Sequence, residues 1–392
     1  MPADATRLRV LSDILPLQVP HTRDRGIGRW TAGVLRAILQ QEAGEYLHVL
    51  LGNADLPPPD PLAPYASSSG LWYYGDYPLR DFRADQWQAH VAPYAAYWQS
   101  QLARFAPHIV HVHNPFEWQL PPHSRYDGAP LIVSVHDVIP LRFPEPYLQQ
   151  MPDWLSAGYR YACELVRRAD HTITNSECSR RDIAELLGIE PSRISVALAG
   201  PSEQFRHAPD ARVTADVRRR FGLRGGFVLC NSGYDFRKNL TRTLQSYARV
   251  AARLRAAYPL VLVCSLNAEQ KHALRRDAQS LGIASQLVLT NYVRADELVA
   301  LYHAATALFF PSLYEGFGLP VLDAMLCGLP VVTANVAALP EIAGDAAMLV
   351  NPLAVDEMAN ALTRVLESDS LRAELRAKGI ARAATFSWAQ AA

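Results

Sequence analysis

Short apolar runs alternate with longer amphipathic segments through most of this 392-residue chain. In the first half, the apolar runs that predict strands lie at residues 8–11, 46–51, 108–113, 131–138 and 171–176. A helical pattern at 157–168 separates the last two runs. Strands that alternate with helical segments indicate βα units around a largely parallel sheet.

The same alternation restarts after residue 205. Further strands are predicted at 227–233, 260–265, 287–290, 307–310 and 331–333, with helices at 240–255, 269–280 and 319–326. The intervening segment, 200–224, is polar and charged. We therefore predict an α/β protein of two domains, 1–205 and 206–392. The alternative is a single large sheet. The restart of the strand and helix alternation after a polar segment disfavours it.

An aromatic stretch in the first half contains Trp72, Tyr73, Tyr74 and Tyr77. It has two interpretations. One is a lid or an acceptor-facing surface, and the other is a loop packed on its own aromatic rings.

Composition narrows the class of protein. Lys and Arg together number 38, as do Asp and Glu, so no global basic field predicts nucleic-acid binding. No run of ~18 apolar residues predicts a membrane span, and the N-terminus lacks the apolar stretch of a signal peptide. Five cysteines without a C-x-x-C pair predict reduced, structural thiols in a cytosolic protein rather than disulfides or a zinc site.

The segment 311–341 contains the strongest candidate chemistry. Its predicted strand runs into a loop with Phe317 and Gly318, and a helical pattern begins at Leu319. Glycine at such a turn lets the backbone approach a ligand, and a helix N-terminus offers free N–H groups and the positive end of a dipole. This combination predicts a phosphate site.

Two carboxylates accompany this loop. Asp323 follows Glu315 by eight residues, just over two helical turns, which predicts both on similar faces of one element. Carboxylates accept hydrogen bonds from sugar or ribose hydroxyls. The alternative is a surface turn with a solvated Glu and a helix-face Asp.

A second motif lies at 231–240. Gly233 closes a predicted strand, and Arg237 and Lys238 precede the next helix. Adjacent cations at such a junction suit a diphosphate, with Arg as a planar fork and Lys as a point charge. A solvated basic turn is the alternative.

Two weaker motifs lie in the first half. Gly26 and Gly28 open a predicted helix, as a phosphate-facing loop or as an ordinary glycine turn. His136 and Asp137 lie at the carboxyl end of a predicted strand, where ligands collect in open α/β sheets. We predict no metal site, because the spacing of His108, His111 and His113 does not put all three on one strand face.

These motifs together resemble the family 4 glycosyltransferases, the group-1 retaining class with the GT-B fold. EGFGLPVLDAMLCGLPVV resembles the family's E-x7-E signature, FRKN its phosphate-binding region, and GIGRW and SVHDVIPL its N-terminal glycine loop and strand-end His segment. The resemblance spans nearly the whole chain and is strongest from 227 to 352. It implies two Rossmann-like domains facing each other across a cleft, an N-terminal one for the acceptor and a C-terminal one for the nucleotide sugar.

The resemblance also implies roles for the candidate residues. Arg237 and Lys238 would neutralise the donor diphosphate, Glu315 would bind hydroxyls of the transferred sugar, and His136 would contact that sugar near the reacting centre. These four form the implied catalytic set.

The implied donor-binding set is larger. It contains main-chain groups and side chains in both halves: Gly26, Gly28, Asp137, Gly233, Phe317, Gly318, Leu319 and Asp323. Asp323, in the ribose-binding position, stands where the signature has Glu, so its reach is one methylene shorter. After FSWAQAA the family normally continues a helix that crosses back to the first domain.

We therefore predict a retaining hexosyltransferase that needs no metal or other cofactor. The predicted donor is GDP-mannose, with a UDP-sugar or deoxysugar as the alternative. The acceptor is a glycan or lipid-linked saccharide of bacterial polysaccharide or O-antigen assembly, reached in the cytoplasm with peripheral contact to the inner membrane. The alternative functions are a sugar-nucleotide 2-epimerase and a non-enzymatic nucleotide-sugar sensor or inactive scaffold.

Overall fold

Two compact units make up the chain in a computed structural model that describes residues 7–23, 25–41, 46–59, 62, 70–117 and 128–392. Unit 1 comprises Met1–Gly200 and Ser387–Ala392, and unit 2 comprises Pro201–Phe386. Each unit is built around its own parallel sheet flanked by helices. The predicted class, two Rossmann-like α/β domains, is confirmed.

The division between the units falls after Gly200, whereas the sequence pattern placed it after residue 205. The ring of Phe205 is 1% exposed and lies 5.0 Å from that of Tyr302 in unit 2. The carbonyl of Phe205 also accepts a hydrogen bond from His303 Nε2 at 3.0 Å. Residues 201–205 are therefore anchored in unit 2 by packing that a polar sequence pattern does not reveal.

The sheet of unit 1 contains seven strands within the described residues. They are β1 (Leu8–Asp13), β2 (Tyr46–Asn53), β3 (Gly70–Gly75), β4 (Ile109–Val112), β5 (Leu131–Ser134), β6 (His171–Thr174) and β7 (Ile194–Val196). All pairs are parallel, and the spatial order is β3-β2-β1-β4-β5-β6-β7. The apolar runs form the central strands because both faces are covered by helices.

Helices connect these strands. They are α1 (Leu15–Gln18), α2 (Pro20–Arg23), α3 (Gly26–Gln41), α4 (Trp87–Phe105), α5 (Ile139–Arg142), α6 (Asp153–Arg168) and α7 (Glu177–Leu187). Trp98 of α4 and Val166 of α6 are buried with Val110 and Val133 of the sheet in one core.

The aromatic stretch is packed rather than lid-like. Tyr73 lies on the edge strand β3, where its ring contacts Phe105 at 5.2 Å and the Arg104 guanidinium at 4.2 Å. Tyr77 is 7% exposed and packs edge-on against Tyr94. Pairing with β2 and these ring contacts explain why the stretch is an element of the fold.

The sheet of unit 2 has six strands. They are β8 (Val228–Asn231), β9 (Leu260–Val263), β10 (Leu287–Leu289), β11 (Ala307–Phe310), β12 (Val331–Ala334) and β13 (Met348–Val350). They are all parallel, in the order β10-β9-β8-β11-β12-β13. This is the strand order typical of dinucleotide-binding folds.

Helices of unit 2 lie on both faces of this sheet. They are α8 (Ala211–Arg220), α9 (Leu240–Arg249), α10 (Ala252–Ala257), α11 (Ala268–Ser280), α12 (Ala295–Ala304), α13 (Leu319–Leu326), α14 (Leu339–Ala343), α15 (Val355–Glu367) and α16 (Asp369–Ala383). The single helix predicted at 240–255 is wrong. Val250 and Ala251 are extended, and the Arg255 side chain binds the carbonyls of Ala248 and Val250.

The last helix, α17 (Trp388–Ala391), belongs to unit 1 and packs on α3. The Trp388 indole lies directly against Gly33 and Gly200, and neither position has space for a Cβ atom. The family resemblance places the return of the chain to the first domain after FSWAQAA, whereas residues 387–392 already lie in unit 1.

Candidate functional site

In each sheet, the first three strands are added towards one edge and the later strands towards the other edge. The order therefore reverses between the first and the fourth strand, which are neighbours. That point lies between β1 and β4 in unit 1 and between β8 and β11 in unit 2. Open parallel sheets bind ligands at the carboxyl ends of the strands beside such a point. The predicted site residues lie on the segments that follow these strands and β5.

The loop after β8 presents the two cations. The Asp235 carboxylate accepts a hydrogen bond from the main-chain N–H of Arg237 at 3.0 Å and caps the short 3₁₀ turn Phe236–Lys238. Asn239 follows with φ 58°, a left-handed conformation that Asn adopts more readily than most residues. The turn directs Arg237 and Lys238 towards the loop after β11.

Asn239 holds the loop in place. Its buried side-chain amide donates hydrogen bonds to the carbonyls of Pro311 at 2.9 Å and Pro352 at 2.7 Å. The main-chain N–H of Leu313 also donates to the carbonyl of Arg237 at 2.6 Å. The loops after β8 and β11 are therefore tied to each other by hydrogen bonds on both sides of the cation pair.

Arg237, Lys238 and Glu315 form one ion cluster. Glu315 Oε2 lies 2.7 Å from Arg237 Nη1, and Glu315 Oε1 lies 2.6 Å from Lys238 Nζ. The side chains of the two cations are 22% and 15% exposed, and that of Glu315 is 9% exposed. Burial acts to raise the pKa of Glu315, but the charges of Lys238 and Arg237 outweigh it and hold this pKa below its usual value.

The cluster is close to electrically balanced. Asp235 Oδ1 lies 3.4 Å from Arg237 Nε, so two carboxylates face two cations. An anionic ligand at this position would compete with Glu315 for the guanidinium and the ammonium. Displacement of Glu315 is most favourable for a ligand that presents several oxygens at once, as a diphosphate does.

The loop after β11 supplies main-chain donors. Gly318 is the N-cap of α13 with φ 117°, which favours glycine, and a Cβ there would lie 2.9 Å from Leu339. Phe317 is buried and its ring meets Phe386 edge-on. In this fully described stretch, the N–H groups of Phe317, Gly318 and Leu319 bind no protein acceptor. They are available to an anion at the helix N-terminus.

Asp323 is placed differently from the prediction. It lies inside α13 and is 2% exposed, whereas Glu315 lies in the loop, four residues before the helix begins. The eight-residue helical spacing therefore does not describe this pair, because the glycine-rich turn interrupts the helix. A role of Asp323 in ribose binding stays a prediction.

Gly233 lies next to the lysine. An added Cβ there would meet only Lys238 Cε, at 4.0 Å. A side chain at 233 would therefore have room beside Lys238, and the donor-binding role of Gly233 stays a prediction.

The glycines of unit 1 have a packing role. Helix α3 begins at Gly26, and Gly28 is buried where a Cβ would overlap the main chain of Arg23 in α2. Close packing of α2 against α3 explains Gly28 without a ligand. The phosphate role of both glycines stays a prediction.

A cavity of about 400 Å³ opens at the carboxyl edge of unit 1. Its walls come from the segments after β1, β4 and β5, from one face of α6, and from Trp87 at the start of α4. The structure brings His136, Asp137 and Glu117 together in this cavity.

His136 is held by three neighbours. Its ring meets Trp30 edge-on at 5.0 Å, its Nδ1 lies 3.4 Å from Asn175 Nδ2, and its carbonyl accepts a hydrogen bond from Ser179 Oγ. Burial lowers the pKa of His136 to about 4, so the ring is neutral at pH 7. A neutral imidazole suits a hydrogen bond to a sugar hydroxyl better than neutralisation of a phosphate. Asp137 accepts from the main-chain N–H of Ile139 at 3.1 Å.

A second acidic group lies behind the cavity. Thr22 Oγ1 donates a hydrogen bond to Glu117, which is 6% exposed. Asp13, at the end of β1, is 1% exposed and accepts from the main-chain N–H of Leu15 at 3.0 Å. Burial raises the pKa of Asp13 to about 7, and the negative charge of Glu117 adds to this effect.

Of the three histidines between 108 and 113, His111 lies in β4 and the other two flank the strand. His111 and His113 have ring centroids 3.9 Å apart, and burial lowers the pKa of both. His108 instead accepts a hydrogen bond from the main-chain N–H of Arg9. Across the described part of the chain, no three His, Cys, Asp or Glu residues are grouped as a metal site requires. All five cysteines are described, and each is buried and without a disulfide.

The sequence did not predict the cavity of unit 1 or the hydrogen bonds by which Asn239 holds the loop after β8. Asn239 could have been selected as a candidate from the sequence, since it directly follows the cation pair. Glu117 follows β4 by five residues and Asp13 ends β1, so both positions were open to the same strand-end argument that selected His136. The sequence offers no signal for Trp87 or Tyr159, because only tertiary packing brings these residues to the cavity.

Two family models match the chain. Residues 26–200 match the model described as Glycosyltransferase Family 4, and residues 220–382 match the model described as Glycosyl transferases group 1. The first match lies in unit 1 and the second in unit 2.

Curated relatives include mannosyltransferases. The chain is 29% identical over 398 aligned positions to the serotype-specific mannosyltransferase WbdA of Escherichia coli, covering 98% of this chain and 47% of WbdA. The chain therefore spans about half the length of that relative. It is 30% identical to the O-antigen chain mannosyltransferase B of Escherichia coli, over 66% of each chain. It is 28% identical to a D-inositol 3-phosphate glycosyltransferase of Acidothermus cellulolyticus, over 95% of this chain and 85% of the relative.

Solved structures share the fold across both units. Anabaena Alr3699/HepE, solved in complex with UDP and glucose, superposes with a TM-score of 0.70 at 16% identity, covering 98% of this chain and 97% of that one. WaaG, a glycosyltransferase involved in lipopolysaccharide biosynthesis, superposes with a TM-score of 0.65 at 19% identity, covering 96% and 95%.

None of the helices described is both long and apolar enough to cross a bilayer.

Proposed function

Because the chain belongs to the glycosyltransferases of family 4, group 1, we propose that it moves a hexose from a nucleotide sugar to a saccharide acceptor. The observation that carries the proposal is the ion cluster of Arg237, Lys238 and Glu315 beside the N-terminus of α13. Two cations and a set of available N–H groups at a sheet switch point form a site for a diphosphate.

The cations would act on the leaving group. As the bond between the anomeric carbon and the diphosphate oxygen breaks, negative charge grows on the diphosphate. Arg237 and Lys238 stabilise that charge from fixed positions, since Asn239 and the cap of Asp235 hold their loop. The acceptor hydroxyl forms the new bond to the anomeric carbon, and its proton passes to a diphosphate oxygen.

Glu315 would then exchange partners. A diphosphate that binds both cations releases the carboxylate, whose oxygens become free to accept hydrogen bonds from hydroxyls of the sugar. The lowered pKa of Glu315 keeps it ionised at pH 7, as this role requires. Retention of the anomeric configuration, through departure and attack on one face, is part of the proposal.

We propose GDP-mannose as the donor, with UDP-sugars and deoxysugar nucleotides as the alternatives. The support is the similarity to two mannosyltransferases of Escherichia coli. The proposed acceptor is a growing or lipid-linked glycan of the O-antigen type, on the cytoplasmic side of the inner membrane.

Lys238→Ala tests the proposal. We expect it to lower the rate of sugar transfer by about 10²–10³-fold, because a preorganised charge on the leaving group is lost. Transfer of radiolabelled mannose from GDP-mannose to a mannose oligosaccharide is the measurement. Lys271→Ala is the matched control, since Lys271 lies on α11 outside the cluster and should leave the rate unchanged.

Near-normal transfer by Lys238→Ala would overturn the assigned role. Parallel incubations that omit the acceptor, together with a donor-binding measurement, test the alternative functions. An epimerised nucleotide sugar without acceptor would indicate the epimerase, and donor binding without any turnover would indicate a sensor or scaffold.

A further inference from the structure

We propose that a cavity at the amino edge of the sheet of unit 2 binds a phosphate group, and that Arg376 is the residue that holds it. We call it the amino-edge cavity. The proposal does not rest on the proposed function, because the ion cluster lies at the carboxyl edge of the same sheet.

Three elements enclose the amino-edge cavity. They are the end of α12 with the turn into β11, the turn from α13 into β12, and one face of α16. Both turns precede their strands, so the cavity lies at the amino ends of β11 and β12. Its volume is about 260 Å³, which is room for a phosphate group with a small substituent.

The charge of the lining is positive. Arg372 and Arg376 line the cavity from α16, one helical turn apart, and no Asp or Glu is among the lining residues of this fully described region. Like charges four residues apart on a helix repel each other. An anion between the two guanidinium groups would replace this repulsion with two attractive contacts.

Arg372 is fixed at the rim of the cavity. Its Nη1 donates hydrogen bonds to the carbonyls of Val365 at 2.7 Å and Leu366 at 2.8 Å, and its Nη2 pairs with Asp369. These carbonyls belong to the last turn of α15. Arg372 therefore has a structural role, and its charge has a fixed position beside the cavity.

Arg376 has no such role. Its exposed side chain lies beside Gly328, and within unit 2, where every residue is described, it forms no hydrogen bond or ion pair. The neighbouring cations of α16 are all engaged, since Arg382 donates to two main-chain carbonyls and Lys378 pairs with two carboxylates. Arg376 is thus a cation at a cavity that still lacks an anion.

The adjoining helix ends do not account for Arg376. The carboxyl ends of α12 and α13 border the cavity, and their dipoles favour a cation. A guanidinium that serves such an end donates to its carbonyls, as Arg218 does to that of Ala304 at 3.3 Å. Arg376 donates to none in this described region, so a ligand with its own acceptor oxygens explains its position better.

The charge of Arg376 acts on the opposite wall of the cavity. His303 Nε2 donates to the carbonyl of Phe205 at 3.0 Å, which raises the pKa of His303. Burial lowers this pKa by more than that, and the charge of Arg376 adds to the lowering. His303 is therefore neutral at pH 7, and Arg376 and Arg372 carry the positive charge of the lining.

A phosphate group matches this lining better than a carboxylate. A guanidinium fork binds two phosphate oxygens at once, and the remaining oxygens are available to the second guanidinium and to the hydroxyl of Thr306. A planar carboxylate has only two oxygens. It would leave part of the lining without an acceptor.

Calorimetric titration with inorganic phosphate tests the proposal. We expect Arg376→Ala to weaken phosphate binding about tenfold or more, because a charged hydrogen-bond donor is lost. The melting temperature should not change, since Arg376 has no protein partner to lose. Lys378→Ala is the matched control, because it removes the same charge from the same helix and lines no part of the cavity. Its phosphate affinity should equal that of the wild type.

A further variant separates this cavity from the ion cluster, which would also attract phosphate. Lys238→Ala should keep the phosphate binding that depends on Arg376, whether or not the protein transfers sugar. Binding that is lost in Lys238→Ala and unchanged in Arg376→Ala would assign phosphate to the ion cluster and overturn the proposal. A wild-type protein that binds no phosphate would overturn it as well.

Two further probes define the ligand. Glycerol 3-phosphate distinguishes a phosphate monoester from free phosphate, because the natural class should bind more tightly. Acetate should bind more weakly than either. Acetate binding as tight as that of phosphate, with the same dependence on Arg376, would contradict a phosphate site.

Discussion

Glu315 is the residue on which the charge balance of unit 2 depends. It is the acceptor for both cations, at 2.7 and 2.6 Å, and it is the most buried member of the cluster. In the resting protein it therefore opposes the binding of any anion. Its proposed contribution to sugar transfer comes only after a diphosphate has displaced it.

Glu315→Gln should separate these two effects. We expect the substitution to tighten the binding of GDP about tenfold, which is ~1.4 kcal/mol, because the cations lose their internal anion. The rate of transfer should fall, since an amide holds the sugar hydroxyls less strongly than a carboxylate. Calorimetry with GDP and the transfer assay are the measurements.

Glu297→Gln is a matched control for this variant. Glu297 is also buried and also paired with two arginines, Arg220 at 2.8 Å and Arg294 at 3.2 Å. Its replacement should alter stability and leave GDP affinity unchanged. Weaker GDP binding by Glu315→Gln would refute the competition between carboxylate and diphosphate.

Asp13 gives unit 1 a predictable pH dependence. Its pKa is about 7 in the folded protein against an ordinary 3.8, so the folded state binds more protons than the unfolded chain between these pH values. The stabilisation that the protonated Asp13 contributes should therefore be fully present below about pH 4 and be lost as pH rises towards 7, by on the order of 4 kcal/mol.

Asp13→Asn should flatten this decline. Urea unfolding at pH 5 and pH 8 measures it, with Asp170→Asn as the control because Asp170 is an exposed carboxylate in the same unit. Parallel pH profiles for wild type and Asp13→Asn would mean that Asp13 keeps an ordinary pKa.

At the scale of elements, the loops after the central strands matter more than the helices. The loop after β8 is fixed by the Asp235 cap and the left-handed Asn239, whose amide joins it to the segments after β11 and β13. The glycine-rich turn before α13 leaves main-chain donors beside the same cluster. Two short loops and one helix end thus contain the whole candidate diphosphate site.

Only some of the elements of this fold can be predicted from the sequence. The apolar runs predicted most strands, because buried parallel strands need continuous apolar segments. The edge strands β3, β7 and β13 were missed; the aromatic residues of β3 also fit a packed loop, and β7 and β13 are only three residues long. The break at Val250 was missed because it depends on the Arg255 side chain.

The candidate site, too, was predicted only in part. Arg237 and Lys238 were recognisable as a cation pair beside a strand end, and Glu315 as a loop carboxylate. Their mutual contact was not predicted, because it joins residues 78 and 77 positions apart through the register of β8 and β11. The cavity of unit 1 was invisible for the same reason, as its walls come from several separate segments.

At the scale of the whole molecule, the two units repeat one plan. Both sheets have their first strand beside the fourth, and both present candidate binding groups at the carboxyl edge there. The lining differs, with an aromatic and polar cavity in unit 1 and an ion cluster in unit 2. Under the proposed function, the ion cluster of unit 2 binds the diphosphate of the donor.

The most direct test of the central claim is an experimental structure of the protein with GDP bound. We predict diphosphate oxygens within hydrogen-bonding distance of Arg237 and Lys238, with Glu315 displaced from at least one of them. A nucleotide bound elsewhere, with both cations still paired to Glu315, would contradict it.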